Sequence, residues 1–277
     1  MGELSGRTII ITGSSRGIGR SMALKFAKHG ASLVIAAKSA EPHPKLKGTI
    51  YDVADEVKAA GGKALPVQVD VRAEDQVHAM VESAMKNFGR IDALVNNAGA
   101  ISLTNIEETP IKRFDLMQNV NSRAVFLCSQ AVLPYLKQAP EPHILSMAPP
   151  LNFKSAGLRN HGPYMLSKYG MTMLSLAMAE EFKKYRISVN CLWPKTIIAT
   201  AAIEFAVGSR ETLKHCRKPE IVADSAYEIL TTESGVLTGQ CFIDEELLKQ
   251  RGITDFDRYA YDLDYAGRLH PDIFLDE

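Results

Sequence analysis

Short apolar runs alternate with longer amphipathic stretches along almost the whole chain. Seven of the runs have the length and composition of buried strands: Thr8 to Ile11, Ser32 to Ala36, Ala64 to Val69, Ala93 to Asn96, His143 to Ser146, Ile187 to Trp193 and Gln240 to Ile243. Six stretches between them carry apolar residues at helical spacing: Ile18 to His29, Ile50 to Ala60, Glu74 to Phe88, Ile111 to Lys137, Tyr164 to Tyr185 and Pro219 to Leu230. Apolar strands joined by helices form a parallel sheet that is covered on both faces. The pattern therefore predicts an α/β fold with a doubly wound, mainly parallel sheet of seven strands.

A glycine-rich turn follows the first predicted strand. It reads Thr12-Gly13-Ser14-Ser15-Arg16-Gly17-Ile18-Gly19. Gly13 allows a sharp turn, Gly17 allows the backbone to approach a pyrophosphate, and Gly19 allows the helix to pack closely on the sheet. The free N–H groups of the first helical turn also favour a phosphate. The turn is typical of a Rossmann-type, dinucleotide-binding fold.

A second motif, Tyr164-Met165-Leu166-Ser167-Lys168, lies about 150 residues later, where a helix is predicted to begin. Residues four apart share one face of a helix. A free phenol has a pKa near 10, and a neighbouring ammonium group favours the phenolate. Tyr164 and Lys168 are therefore suited to proton transfer at a carbonyl or an alcohol. Together with the glycine turn, they indicate hydride transfer to or from a nicotinamide dinucleotide.

With these motifs, the chain resembles the short-chain dehydrogenase/reductase family over nearly its whole length. The residues that carry the resemblance are Thr12 to Gly19, Asp70-Val71, Asn96 to Gly99, Asn121, Tyr164 to Lys168 and Pro194. Finer features resemble the hydroxysteroid dehydrogenase-like protein 2 group of that family: Ala36 to Lys38, Pro42 to Leu46, Ile101 to Asn105, Leu192 to Thr196 and Phe274 to Glu277. Animal members of that group carry a further, sterol-carrier-like domain. We expect residues 1–277 to form a single dehydrogenase domain, with 244–277 as a C-terminal extension packed on it or on a neighbouring subunit.

The resemblance implies a role for each matching residue. Tyr164 is the catalytic acid and base, Lys168 lowers its pKa and holds the nicotinamide ribose, and Asn121 holds a water that connects Lys168 with solvent. The implied cofactor-binding residues are Gly13, Ser14, Ser15, Arg16, Gly17, Ile18, Gly19, Lys38, Asp70, Val71, Asn97, Ala98, Gly99, Lys168, Pro194 and Ile197.

The choice between NAD(H) and NADP(H) depends on two basic residues. Lys38 follows the second strand, where an acidic residue would bind the adenosine ribose and favour NAD. A basic residue there pairs instead with a 2′-phosphate. Arg16 projects from the glycine turn toward the same place. The sequence therefore favours NADP(H) over NAD(H).

Two positions depart from the family pattern. The serine that the family places after the fifth strand falls on Ala148 and Pro149, while Ser146 comes too early. Asn152 or Ser155 in the following loop could replace it. Loss of such a donor can cost about a hundredfold in rate. The second departure is Lys195, which stands where the family usually has a glycine after Pro194.

The loop after the sixth strand, which covers the substrate in the family, is mostly apolar: Ile197, Ile198, Ala201, Ala202, Ile203, Phe205, Ala206 and Val207. An apolar lid favours a lipid-, terpenoid- or steroid-like alcohol or carbonyl compound. The same residues could equally be helix core.

Besides an oxidoreductase, two other functions stay open. One is a cofactor-binding regulatory protein with little turnover, suggested by Ala148 and Pro149, and the other is a lipid-binding module.

Composition narrows the class of protein further. The 277 residues include 32 basic and 32 acidic side chains, so the formal net charge is zero and no nucleic-acid partner is indicated. The four cysteines lack metal-ligand spacing, and we expect no metal site. No stretch reaches membrane-spanning length, no signal peptide begins the chain, and it ends without a peroxisomal tripeptide, so we expect a cytoplasmic protein.

Apolar residues on the Tyr164 helix (Met171, Leu174, Ala177 and Met178), with the long helix before it, predict a homodimer or homotetramer.

Overall fold

The computed structural model describes residues 2–44, 46–153, 157–207 and 211–275. Its strands are β1 (Thr8–Thr12), β2 (Ser32–Ala37), β3 (Lys63–Gln68), β4 (Ala93–Asn96), β5 (His143–Met147), β6 (Ser188–Trp193) and β7 (Cys241–Ile243). They form one sheet in the order β3-β2-β1-β4-β5-β6-β7, and every neighbouring pair is parallel. The predicted seven-stranded, Rossmann-type sheet is confirmed.

Helices cover both faces of this sheet. They are α1 (Gly17–Lys28), α2 (Ile50–Ala59), α3 (Glu74–Phe88), α4 (Ile111–Gln118), α5 (Ala124–Leu136), α6 (Gly157–Phe182), α7 (Ala201–Val207), α8 (Glu220–Thr231) and α9 (Asp244–Gln250). Side chains alternate along each strand, so Ile9 and Ile11 pack with α1, α2 and α8, whereas Ile10 packs with α3, α5 and α6. Burial of both faces explains why the strands read as continuous apolar runs.

Strand order reverses between β1 and β4, which opens a crevice at the carboxyl ends of these strands. The local sequence fixes the elements around it. The N-terminus of α2 is closed by a capping box, in which Thr49 accepts the N–H of Asp52 and the Asp52 carboxylate accepts the N–H of Thr49. Gly89 ends α3 in the left-handed conformation that glycine adopts without strain.

Three details of the helices were not predicted. The stretch 111–137 is not one helix, because a π-helical turn, Asn119–Arg123, separates α4 from α5. A short helical segment that begins at Gly157 precedes the Tyr164 helix. Because His161 between them is non-helical, the unbroken helix begins after His161, close to its predicted start at Tyr164. The short helix α9 was not predicted. Periodicity misses these features because buried side-chain contacts, and not local propensity, stabilise short or irregular turns.

The predicted outer apolar face of α6 also needs correction. Met171 and Met178 are buried in the core of the domain itself. The apolar residues that point outward are Leu166, Met173 and Ala177, because burial follows the angle at which α6 packs on the sheet.

Among the described residues, no helix is long and apolar enough to cross a membrane. That part of the chain likewise contains no cluster of His, Cys, Asp or Glu side chains arranged for a metal ion.

Candidate active site

The glycine turn joins β1 to α1 at the crevice. Gly13 and Gly17 have φ angles of +67° and +54°, which only glycine adopts readily. A Cβ on Gly13 would lie 2.7 Å from the Cα of Ala98, and one on Gly19 would lie 2.6 Å from the Asn97 side-chain amide. The glycines therefore let the loop after β4 pack directly on the turn.

The two serines of the glycine turn are buried, and one of them, Ser14, holds the turn through hydrogen bonds. Ser14 Oγ donates to the Ile11 carbonyl at 2.7 Å and accepts the Ala36 N–H at 3.0 Å, which ties β1 to β2. Ser14 and Ser15 are both buried, and neither lines the crevice, whereas Ile18 does. The structure thus gives Ser14 a role in shaping the turn.

Arg16 occupies the N-cap position of α1 with extended backbone. Its Nη2 donates to the carbonyl of Gly48 at 2.7 Å, and its Nε is buried without a hydrogen-bond partner among the described residues. Burial lowers the pKa of Arg16. Gly48 has a φ of +101°, and a Cβ there would lie 2.5 Å from the Ser15 carbonyl oxygen. The segment before α2 therefore folds back onto the glycine turn and holds this guanidinium beside it.

Lys38 follows β2 but does not point into the same cavity as Arg16. Its Nζ lies 3.2 Å from Asp70 Oδ2, in a neighbouring shallow pocket. Arg72 pairs with the same carboxylate, with Nη2 2.6 Å from Oδ2. Arg72, with help from Lys38, holds the pKa of Asp70 well below its usual range. Two cations, Lys38 and Arg72, therefore surround one carboxylate beside the crevice. Val71, the residue after Asp70, is buried.

Hydrogen bonds tie the loop after β4 to the glycine turn. Thr12 Oγ1 accepts the N–H groups of Asn97 and Ala98, both at 3.0 Å. The Asn97 side-chain amide donates to the carbonyls of Thr12 and Gly13 at 2.9 and 3.0 Å. Asn97, Ala98 and the following Gly99 all line the crevice. The loop thereby connects the turn with the second half of the site.

Tyr164 and Lys168 lie one turn apart on α6, in the wall of the same cavity of about 410 Å³. Both are buried, at 7% and 5% exposure. Lys168 Nζ donates to the Met147 carbonyl at 2.8 Å and lies 4.9 Å from the centre of the Trp193 ring. Burial lowers the pKa of Lys168 to about 8, although the negative charge of Asp272 opposes that shift.

The surroundings of the Tyr164 side chain shift the pKa of its phenol upward. Burial raises this pKa well above its usual range, and the charge of Asp272 raises it further. The Lys168 ammonium is directed to the Met147 carbonyl. Desolvation thus disfavours the charged phenolate in the chain alone. The lowering of this pKa that the family resemblance implies concerns the site with its cofactor and stays a prediction.

Asn121 lies in the π-helical turn and is completely buried. Its Oδ1 accepts the N–H of Ala100 at 2.8 Å, and its Nδ2 donates to the Ala100 carbonyl at 3.0 Å and to Ser167 Oγ at 2.8 Å. Ser167 Oγ in turn donates to the Tyr164 carbonyl at 2.7 Å. A Cβ on Gly99 would lie 3.6 Å from Asn121 Oδ1. Asn121 thus fixes the loop after β4 against the helix that carries Tyr164.

The described end of β5 presents no hydroxyl to the cavity. Ser146 Oγ lies 2.9 Å from Ser175 Oγ, and Ser146 is fully buried. Ala148 and Pro149, which occupy the family's serine position, are buried, and Met147 is the residue of this strand end that lines the cavity. Ser146 is therefore directed toward α6, away from the place where a substrate oxygen would meet Tyr164.

Of the two replacement candidates, only Asn152 is among the described residues. Asn152 Nδ2 lies 3.5 Å from the Phe274 carbonyl, and the Asn152 carbonyl accepts the Tyr169 hydroxyl at 2.6 Å. Asn152 does not line the cavity. Ser155 lies outside the described residues.

Pro194 and Ile197, after β6, also line the cavity. The Ile197 N–H donates to the His270 carbonyl at 3.1 Å, and its carbonyl accepts the Arg217 N–H at 3.0 Å. The backbone N–H and carbonyl of Ile197 are thus both bonded inside the protein, and Ile197 belongs to the apolar wall. The other lid residues in this wall are Ile198, Ala201, Ala202 and Ile203. The side chains of Phe205, Ala206 and Val207 lie outside the described part of the chain.

Asp272 enters the cavity from the C-terminal segment, and the sequence analysis did not single it out. Its backbone N–H donates to the Lys195 carbonyl at 3.0 Å. Trp193 Nε1 and the Phe274 N–H both donate to its Oδ1, at 2.7 and 3.0 Å. Burial raises the pKa of Asp272 to about 6. The acidic and aromatic composition of the tail was the only available signal, and it does not distinguish this aspartate from the others.

Phe274 packs directly over the Tyr164 side chain. It is fully buried, and its ring meets the rings of Tyr164, Tyr169 and Trp193 edge to face, with centres 5.7, 5.7 and 5.1 Å apart. Aromatic rings prefer this geometry. The C-terminal segment therefore forms part of the active-site wall.

Comparison with known proteins identifies the family of this chain. Residues 7–206 match the family model of short chain dehydrogenases. The chain is 54% identical over 276 residues to hydroxysteroid dehydrogenase-like protein 2 of Homo sapiens, covering 100% of this chain but 65% of that protein. It is 51% identical to a Xanthomonas campestris protein of known crystal structure, with a TM-score of 0.94 and 99% of each chain covered.

More distant solved structures contain either nicotinamide cofactor. A metagenomic short-chain oxidoreductase in complex with NADP is 26% identical, with a TM-score of 0.71 over 87% of this chain and 97% of that chain. A 7α-hydroxysteroid dehydrogenase with NADH and 7-oxo glycochenodeoxycholic acid is 27% identical, with a TM-score of 0.73 over 87% of this chain and 93% of that chain. From the matched family model, the extent of identity and the shared fold, this chain belongs to the short-chain dehydrogenase/reductase family, whose fold binds NAD(H) or NADP(H).

Proposed function

We propose that this protein is an NADP(H)-dependent oxidoreductase that interconverts an alcohol and a carbonyl group on an apolar substrate. The observation that carries the proposal is one continuous cavity. Gly13 and Gly17 of the glycine turn line it, and so do Tyr164 and Lys168 of α6. A dinucleotide bound along this crevice would place its reactive ring beside the phenol.

The residues present fit such a cofactor. Gly13 and Gly19 leave no room for side chains in the turn, and the first N–H groups of α1 favour a pyrophosphate. The Arg16 guanidinium lies at the same place with its Nε unpaired among the described residues. When bound, the nicotinamide would supply or accept the hydride.

The chain's own residues would handle the proton. In reduction, the Tyr164 hydroxyl donates its proton to the substrate oxygen, which becomes an alcohol; in oxidation it takes that proton back. A phenol is protonated at neutral pH, so the Tyr164 hydroxyl has the proton that reduction requires. Lys168 contributes a buried positive charge nearby, and Asn121 positions the loop and helix that enclose the pair.

Preference for NADP(H) is supported by the charges near the turn. Arg16 lines the cavity, Lys38 lines the adjoining pocket, and Arg72 pairs with Asp70, which also lines that pocket. Asp70 neutralises part of this charge. The balance stays positive, which suits a 2′-phosphate.

An apolar substrate is supported by the cavity wall. Most of the residues around Tyr164 are apolar: Ile101, Leu103, Ile197, Ile198, Ile203 and Ile273. Such a wall favours a lipid-, terpenoid- or steroid-like compound and disfavours a phosphorylated one.

A direct test is nicotinamide absorbance with a panel of apolar aldehydes, ketones and alcohols, each assayed with NADP(H) and NAD(H). We expect turnover in the wild type and its loss in Tyr164→Phe by at least about a hundredfold, since general acid–base catalysis contributes that much or more. Tyr51→Phe, on the exposed side of α2, is the matched control. Cofactor binding should survive in both variants. Near-normal turnover in Tyr164→Phe would show that another group moves the proton.

A second function, cofactor binding with little turnover, is favoured by one specific observation. Ser146 is paired with Ser175 and the described end of β5 offers no donor to a substrate oxygen. If cofactor binds but no compound in the panel is turned over, this alternative is the better account.

We also propose that the protein assembles as a homodimer or homotetramer through α5 and α6. Phe126, Leu166 and Met173 are large apolar side chains that these two helices expose to solvent, at 50%, 56% and 62%. An exposed apolar stripe along two adjacent helices fits a second copy of the same surface.

A further inference from the structure

Asp272 is the only acidic residue among the described residues that line the cavity. Its two carboxylate oxygens have different surroundings. Oδ1 accepts hydrogen bonds from Trp193 Nε1 and from the Phe274 N–H. No described residue donates a hydrogen bond to Oδ2, and Asp272 lines the cavity.

The Asp272 carboxylate is held in a fixed direction. The Asp272 N–H donates to the Lys195 carbonyl at 3.0 Å, and the Asp272 carbonyl accepts the Leu275 N–H at 3.2 Å. Thr196 and Pro271 pair as an antiparallel bridge beside it. With its backbone and one oxygen fixed, the second oxygen is preorganised to accept a hydrogen bond.

The surroundings leave that acceptor without a donor. Apolar residues make up much of the nearby wall, and Lys168 Nζ donates to the Met147 carbonyl. An acceptor in an apolar cavity is costly unless a hydrogen bond reaches it. The raised pKa of Asp272 agrees with this poor solvation. A ligand that carries an O–H group would supply the missing bond, whereas a lone carbonyl oxygen would be repelled.

We propose that Asp272 Oδ2 accepts a hydrogen bond from a second hydroxyl group of the substrate, one or two carbons from the carbon that Tyr164 serves. Asp272 is then a specificity-determining residue, and the preferred substrates are apolar diols and hydroxyketones rather than simple alcohols and ketones. That these ligands are substrates rests on the proposed function, but the preference in binding does not require turnover.

Trp193 provides a readout that is independent of catalysis. It is the single tryptophan of the chain, it lines the cavity, and it is bonded to Asp272. Its fluorescence can therefore report the titration of the protein with two matched pairs of ligands. These are 1,2-octanediol compared with 2-octanol, and 1,3-octanediol compared with 3-octanol. The methyl ether 1-methoxy-2-octanol is a third probe, of similar size to the diol but without the second donor.

In the wild type we expect one of the two diols to bind at least about tenfold more tightly than its matched alcohol, because the bond is made to a charged acceptor. The methyl ether should bind like the alcohol. In Asp272→Asn, which can keep the acceptor for Trp193 and Phe274, the preference should shrink to about twofold or less. Asp264→Asn, exposed in the same tail, should keep the wild-type preference.

Equal wild-type affinities within both pairs, or a preference that survives in Asp272→Asn, would overturn the inference. The wild-type series alone decides the first point, even if the variant does not fold. A diol preference that depends on Asp272, without turnover of any alcohol, would support this inference and contradict the proposed function. Turnover of alcohols or ketones, with no preference for the diols in binding or in kcat/KM, would support the proposed function and contradict this inference.

Discussion

Trp193 Nε1 donates a hydrogen bond of 2.7 Å to Oδ1 of Asp272, 79 residues further along the chain. Trp193 is the last residue of β6, and its ring also lies over the Lys168 ammonium. The bond therefore attaches the C-terminal segment to the wall of the candidate active site. It brings a carboxylate into the cavity that the Tyr164 phenol and the Lys168 ammonium also line.

Replacing Gly13 should damage both folding and cofactor binding. Gly13→Ala adds a Cβ at positive φ and 2.7 Å from the Ala98 Cα. Gly61 also has positive φ, +85°, but a Cβ there meets nothing within 4 Å. Gly61→Ala should cost about 1–2 kcal/mol, the strain of the left-handed conformation alone. Urea unfolding and NADPH titration should show a larger cost for Gly13→Ala and at least tenfold weaker binding, as a rough expectation. Equal effects of the two variants would show that the close contact between Gly13 and Ala98 does not limit folding or cofactor binding.

Removal of Lys38 should weaken binding of NADPH more than that of NADH. Only NADPH carries the 2′-phosphate, and a charge-assisted hydrogen bond to it is worth about tenfold or more in affinity. Fluorescence titration of Lys38→Ala should show that loss for NADPH and little change for NADH. Lys63→Ala, an exposed lysine at the start of β3, is the control. If both cofactors bind the wild type equally, the preference for NADP(H) is wrong.

His143 should make the protein less stable in acid. It begins β5 and is almost completely buried, and burial lowers its pKa from 6.5 to about 4. Between pH 4 and 6.5 the unfolded chain binds a proton that the folded chain does not, so stability falls as pH decreases through this window. The loss amounts to about 3 kcal/mol when complete.

The pH test compares variants, because other groups act in the opposite sense. Asp244 and Asp272 have pKa values raised to about 6, so they favour the folded state as pH falls over part of the same range. The free energy of unfolding should fall less on acidification in His143→Asn than in the wild type. His78→Asn, on the exposed surface of α3, should leave the slope unchanged. An unchanged slope in His143→Asn would show that this histidine does not control acid stability.

Charge placed on the outer face of α6 should break the assembly. Met173→Glu would put a carboxylate into the proposed interface, where its desolvation is costly. Light scattering should report a multimer for the wild type and a smaller species for Met173→Glu. Val236→Glu, at an equally exposed valine outside α5 and α6, should keep the wild-type mass. A monomeric wild type would refute the proposed assembly.

The sequence by itself determined the sheet and the two halves of the site. A strand that is buried on both faces is mostly apolar, so the run Ile9-Ile10-Ile11 is enough to recognise β1. The glycine turn is also local, because Gly13 and Gly17 need backbone angles that other residues rarely adopt. The spacing of Tyr164 and Lys168 likewise follows from helical geometry alone.

Only the tertiary structure decided how these parts meet the rest of the chain. The direction of Ser146, the π-helical turn at Asn121 and the place of Asp272 all depend on partners far away in sequence. The pKa of Tyr164 shows the same dependence. The sequence places an ammonium group one helical turn away, but burial and the distant Asp272 carboxylate raise that pKa. Desolvation and long-range contacts are properties of the packed chain, so no local pattern records them.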